Sequence, residues 1–109
     1  MGRAVQFVIS QAFTEERAGI LDDGRFENVT TKLALRPELG DMIPKTGGAR
    51  KLRQAGMRGQ ARVIYYYHRG NNTVYFLACY SKNDTSDLSE KLKAEIKEVV
   101  KTIKSKLEG

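Results

Sequence analysis

The chain has 109 residues, a length that fits one domain spanning 1–109 with a single fold and no room for a second. Hydrophobic residues make up 40% and charged residues 29%, which excludes disorder by composition, and no apolar run approaches the roughly 20 residues that a bilayer span needs. One cysteine, Cys79, and one histidine, His68, exclude an internal disulfide and a Cys/His zinc site, so a reducing cytoplasm is the expected compartment.

In chain order, residues 4–9 (Ala-Val-Gln-Phe-Val-Ile) predict a short apolar strand. Ala12 to about Ile20 predicts one or two helical turns with Phe13 inward. Asp23 to Leu35 predicts a helix capped by Asp22 or Asp23, with Phe26, Val29 and Leu33 on one face, and Arg36-Pro37 ends it. The segment Leu39 to Gly48 is rich in chain breakers and predicts a loop. Strands follow at 49–54, 61–68 and 74–82, with Gly56 and Gly59 in the first connection and Gly70-Asn71-Asn72 turning the second. Leu88, Leu92, Ile96, Val99, Val100, Ile103 and Leu107 form the apolar stripe of a final helix over 89–107, capped by Asp87 or Ser89. The order β-α-α-β-β-β-α predicts an α+β domain: a mainly antiparallel four-stranded sheet, a helical pair on one face and a C-terminal helix. The opening segment lacks a secretory apolar core, and Gln6 breaks the myristoylation pattern.

The net charge of +6 is unevenly placed. Residues 1–48 and 83–109 are close to balanced, whereas 49–82 holds Arg50, Lys51, Arg53, Arg58, Arg62, Arg69 and Lys82 with no acid. Such a segment reads as a field aimed at a polyanion. Because these residues lie on predicted strands and not on an amphipathic helix, nucleic acid is favoured over a membrane surface. Strand alternation puts Lys51 with Arg53, Arg62 with Ile64 and Tyr66, and Phe76 with Ala78, Tyr80 and Lys82. Pairing Arg62 with Tyr80, Ile64 with Ala78 and Tyr66 with Phe76 then yields one basic sheet face around an aromatic floor, a seat for a bent RNA backbone. Tyr65 and Tyr67 are expected in the core, Cys79 in buried packing and His68 at the surface. Thr46-Gly47-Gly48 lacks the lysine and helix of a P-loop and reads as a turn.

The run Leu39-Gly40-Asp41-Met42-Ile43-Pro44-Lys45-Thr46-Gly47-Gly48-Ala49-Arg50-Lys51-Leu52-Arg53 resembles the RelE/HigB family of bacterial toxins. So do Ala61-Arg62-Val63-Ile64-Tyr65-Tyr66-Tyr67, Tyr80-Ser81-Lys82-Asn83 and Asp87-Leu88, in the family's order and nearest its HigB-like branch. The resemblance implies a RelE-like fold, a type II toxin-antitoxin system and ribosome-dependent cleavage of mRNA. Its partners would be the 70S ribosome with A-site mRNA and a cognate antitoxin, often with a helix-turn-helix domain, in a hetero-oligomer. It implies no cofactor and no metal. Lys51, Arg53, Arg62 and Lys82 match the family's basic positions, with Tyr80 beside them as a catalytic candidate. Arg50, Arg58, Tyr66 and Asn83 are candidates for binding RNA phosphates and bases. Relatives commonly carry a longer Gly/Lys-rich loop where this chain has Gln54–Gln60. Some place a catalytic tyrosine where this chain has Leu88 and Ser89, so that Tyr80 or Tyr66 would substitute.

The chemistry follows from what the basic segment lacks. Without carboxylates it cannot form an oxygen cage for Mg²⁺. Cleavage can instead use the substrate's 2′-hydroxyl as nucleophile, with the protein orienting the backbone, removing a proton and stabilising added charge. Arg53 and Arg62 suit the charge, since guanidinium forks match phosphate oxygens. Lys51 or Lys82 is expected as base, because an amine crowded by other cations gives up its proton more readily. Two alternatives stay open at this point: a ParE-like inhibitor of DNA gyrase, and a non-catalytic RNA- or DNA-binding module.

Overall fold

The computed structural model describes residues 4–84 and 88–108. Its elements are β1 (Gln6–Val8), α1 (Gln11–Arg17), α2 (Asp23–Leu35), β2 (Asp41–Met42), β3 (Arg50–Gly56), β4 (Gly59–His68), β5 (Thr73–Ser81) and α3 (Glu90–Glu108), with a 3₁₀ turn at Arg69–Asn71. They form one five-stranded mixed sheet in the order β1-β5-β4-β3-β2. The expected four-stranded, mainly antiparallel sheet is corrected in two respects. β1 pairs with β5 in parallel, because α1 and α2 carry the chain across one face before it returns. The loop after α2 also contributes β2, whose Asp41 and Met42 pair with Lys51 and Arg50. Two residues are too few to leave a period in the sequence.

Local chemistry accounts for the helix ends. The Ser10 hydroxyl accepts from the Phe13 N–H at 3.0 Å and starts α1. The Asp22 carboxylate does the same for the Arg25 N–H at 2.9 Å and starts α2. Ser89 caps α3 through the Leu92 N–H at 3.1 Å; the other cap candidate, Asp87, lies outside the described residues. The sharp α1–α2 corner is held by Arg17, whose Nη1 donates to the Leu21 carbonyl at 2.8 Å while its guanidinium lies 4.5 Å above the Phe26 ring.

The sheet carries a core on each face. Phe13 of α1, Leu21 of the α1–α2 corner, and Phe26, Val29 and Leu33 of α2 pack on Leu52, Val63, Tyr65, Val74, Phe76 and Cys79. Ile96 and Val100 of α3, with Leu88, Ile43 and Ala49, pack on Ile64, Tyr66 and Ala78 of the other face. Each fully buried aliphatic side chain contributes about 1.5–3 kcal/mol. Tyr65 is buried and Tyr67 packs partly buried against the first core, as the strand pattern predicts. His68, expected at the surface, is largely covered: Tyr66 and His68 share a hydrogen bond between Oη and Nδ1 at 2.9 Å. The Thr46 turn is structural, its hydroxyl donating to the Ile43 carbonyl at 2.7 Å and accepting from the Ala49 N–H at 3.1 Å.

A β-bulge alters the register between β4 and β5. Arg62 faces Tyr80 and Ile64 faces Ala78, as expected, but Tyr65 then faces Phe76 and Tyr66 faces Tyr75. Leu77 is the extra residue. It switches the facing of β5, so that Phe76 enters the α1/α2 core while Ala78 and Tyr80 stay on the α3 side. The expected Tyr66–Phe76 pair is therefore absent.

Candidate nucleic-acid interface

β3 and β4 form a hairpin closed by Gly56 opposite Gly59, with Met57 and Arg58 at the turn. Gly59 has φ +101°, where a side chain would be strained, and an added Cβ would come within 3.1 Å of Asn83 Nδ2. Asn83 donates from that nitrogen to the Arg58 carbonyl, which ties the turn to the end of β5. The Lys82 N–H continues the ladder by donating to the Gln60 carbonyl at 2.8 Å. Together these contacts hold the hairpin end of the sheet in place.

Folding sorts the seven cations of the acid-free segment into two groups. Three receive acids from elsewhere in the chain. Glu38 pairs with Arg69 at 2.8 Å and with Arg50 at 3.5 Å, and Asp84 pairs with Arg58 at 3.3 Å. Arg50 also donates to the Gly40 carbonyl at 2.8 Å, so it is a strut between β3 and the α2–β2 connection. The other four are Lys51 and Arg53 on β3, Arg62 on β4 and Lys82 just after β5. Arg53, Arg62 and Lys82 form no ion pair among the described residues.

The centre of this group is a row across three strands: Arg53 faces Arg62, and Arg62 faces Tyr80. Like charges directly opposite on a sheet repel. Arg62 is moreover only 7% exposed, and its Nη1 donates to the Ala61 carbonyl at 3.0 Å. Two arginines paired across adjacent strands, one of them buried, form an arrangement that an anion relieves. Arg53 and Lys82 are exposed, and Lys51 and Tyr80 are half-buried. This gives the row an open outer side.

Of the binding candidates, the structure brings Asn83 and Arg58 to the hairpin end and leaves Arg50 and Tyr66 apart from it. Tyr66 is buried beneath α3, with the Lys104 ammonium 5.7 Å from its ring centroid. Burial, the Glu108 carboxylate and Tyr75 together push its hydroxyl pKa up. The expected open aromatic floor is thus filled by the C-terminal helix over much of its length. Two polar residues that meet on the α2 side of β3 have no signal in the sequence. Lys32 lies on α2, and Gln54 falls within the segment that the resemblance treats as a shortened loop. Gln54 is a buried strand residue whose amide oxygen accepts from Lys32 Nζ at 3.0 Å. Among the described residues no three His, Cys, Asp or Glu side chains group as metal ligands, and no helix is long and apolar enough to cross a membrane.

Fold and site together define a small α+β domain with a helical pair on one sheet face, a long helix on the other, and a cationic row at the open end. Among solved structures, an arginine-to-alanine double variant of the E. coli toxin RelE in the free state is similar to this chain. The TM-score is 0.59 at 9% sequence identity, with 77% of this chain and 90% of that chain covered. The fold is RelE-like. No model of a known protein family matches the chain.

Proposed function

We propose that this protein is the toxin of a type II toxin-antitoxin system, of the HigB-like branch, and cuts mRNA on the ribosome without a metal ion. The observation that carries the reading is the Arg53–Arg62–Tyr80 row, flanked by Lys51 and Lys82, on a RelE-like fold. In the reaction the substrate's 2′-oxygen attacks the adjacent phosphorus and the 5′-oxygen leaves, giving a 2′,3′-cyclic phosphate and a 5′-hydroxyl. The 2′-hydroxyl proton passes to Lys51 or Lys82, and the departing 5′-oxygen takes a proton from Tyr80 or from a lysine ammonium. Arg53 and Arg62 hold the non-bridging oxygens as charge accumulates on them. Asn83 and Arg58 fix the hairpin on which this set stands.

No histidine or carboxylate stands in the row to move protons, so much of the barrier must fall through alignment, which contributes roughly 7–11 kcal/mol when the geometry is good. A single shallow face aligns a flexible strand poorly, whereas a ribosome already holds its message in a defined path. The antitoxin is expected either to cover the basic face with an acidic segment or to block ribosome entry by its bulk. The test uses purified protein with chelator and one message, either free or on 70S ribosomes with an empty A site. Cuts confined to the ribosome-bound message, ending in cyclic phosphate, are expected. Equal rates on both substrates overturn ribosome dependence, and no cutting of either overturns the nuclease.

A further inference from the structure

α3 meets the sheet through a stripe centred on Ile96 and Val100, both buried, and the two sides of that stripe differ. On one side stand Leu92 and Ile103, packed partly buried against the core. The other side carries Lys97, Lys101 and Lys104, which at 3.6 residues per turn fall within about 60° of one another. This side looks toward the turn that leads into β3. Gly47 has φ +77°, and a Cβ added to it would come within 3.4 Å of Val100 Cγ1. Between turn and helix lies a hollow of about 530 Å³, lined by Gly47, Val100, Glu108 and all three lysines.

The lining sets three cations against one acid. Lys104 is anchored in it, since its Nζ donates to the Gly47 carbonyl at 2.7 Å, and two of its three donors remain. Lys97 and Lys101 are exposed, and none of the three lysines forms an ion pair among the described residues. Lys97 and Lys101 are four residues apart and Lys101 and Lys104 three, so like charges are neighbours on the helix surface, which destabilises a helix until an anion relieves it. Val100 is the one apolar side chain of the lining and is 1% exposed, so the hollow lacks the apolar anchor that a docked protein helix needs. It is also continuous with the cationic row. Ala49 packs in the core beneath α3, and so does Ile64, the cross-strand partner of Lys51. Cross-strand partners share a sheet face, as do alternate residues of one strand. Ala49, Lys51 and Arg53 therefore line up on the α3 side of β3, leading from the turn to the Arg53–Arg62 pair.

We infer that the side of α3 formed by Lys97, Lys101 and Lys104 holds phosphates of the message flanking the cut, so that the RNA runs from the Arg53–Arg62 pair along β3 and α3 to the turn at Gly47. This rests on the RNA-cleaving reading for the identity of the ligand. Lys97 and Lys104 are about 10 Å apart along the helix axis at 1.5 Å per residue, so the surface spans more than one phosphate of an extended strand. Its lysines act as point charges on the backbone and do not read bases. They take no part in proton transfer.

The test measures binding of a ten-nucleotide 2′-O-methyl RNA, which cannot be cleaved, to the full chain between 0.05 and 0.5 M salt (about a tenfold span). Each lost contact to single-stranded RNA lowers the slope of log K against log[salt] by about 0.7 and weakens binding roughly fivefold near 0.1 M salt. The double variant Lys97→Ala/Lys101→Ala is expected to lose about 1.4 in slope and about 25-fold in affinity. Both positions are exposed and alanine favours helix, so the variant keeps its fold. Lys97→Arg/Lys101→Arg is expected to restore both values, and Lys91→Ala/Lys106→Ala, exposed on the opposite side of α3, to match wild type. Wild-type slope and affinity in Lys97→Ala/Lys101→Ala overturn the inference. So does an equal loss in Lys91→Ala/Lys106→Ala, which marks a diffuse field, or failure of wild type to bind the probe. Loss of binding to a ten-residue glutamate peptide or to 70S ribosomes, with RNA binding intact, also overturns it and gives the surface to an acidic protein segment or to the ribosome. A slope loss confined to Lys97→Ala/Lys101→Ala in a protein that cuts no message on ribosomes upholds the RNA surface and removes only the nuclease reading.

Discussion

Replacing Arg62 by methionine separates a functional guanidinium from a structural one. Methionine retains most of the buried stem, so no large cavity opens. The substitution removes the hydrogen bond to the Ala61 carbonyl, and a hydrogen bond to a charged group contributes about 1.5–3 kcal/mol. Against this, it removes the cross-strand repulsion with Arg53, about 0.2–1 kcal/mol. It also removes the desolvation of a cation only 7% exposed, which costs several kcal/mol when no counter-charge is present. Relief exceeds loss, and a net stabilisation of about 1 kcal/mol is expected, raising Tm by about 4–8 °C for a domain near this size. Cleavage on ribosomes is expected to fall by about 10²–10³-fold, the usual cost of one donor aimed at developing charge. Thermal melts and cleavage rates on the same preparation decide the matter. A variant that is less stable and proportionately less active makes Arg62 part of the scaffold, and a variant that cuts at the wild-type rate removes it from the site.

Two other outcomes follow from the burial pattern. Tyr66→Phe breaks the 2.9 Å bond to His68 and is expected to cost about 1 kcal/mol of stability; thermal melts should show it, while cleavage stays within about twofold of wild type because α3 covers the ring. Burial pushes the Cys79 thiol from its ordinary 9.0 up to about 12. The native thiol should therefore resist alkylating reagents at pH 8 until the protein unfolds. Because the unfolded thiol ionises first, the stability this group contributes is complete below pH 9 and is lost as pH rises toward 12. Denaturant melts across that range, compared with Cys79→Ala, should show the variant losing less stability; parallel losses would refute the assignment.

The sequence by itself determined the elements whose signals are local. α2 follows from the Asp22 cap and the Phe26, Val29, Leu33 face, and α3 from a stripe repeated over five turns. The Arg62–Tyr80 and Ile64–Ala78 pairs follow from alternation and a short turn, and the basic character of 49–82 is plain from composition. Tertiary structure decided what depends on residues distant in the chain. Leu77 bulges because Tyr65 and Phe76 both enter the α1/α2 core, and a one-residue shift then reverses which face each later side chain takes. Tyr66 changes from a candidate base platform to the floor beneath α3, since a strand pattern cannot tell which sheet face a remote helix will cover. Charge was sorted in the same way. Glu38 and Asp84 reach back to neutralise Arg50, Arg69 and Arg58, leaving a smaller cationic row than composition gives. Ion pairing depends on distance in space, which separation along the chain does not report.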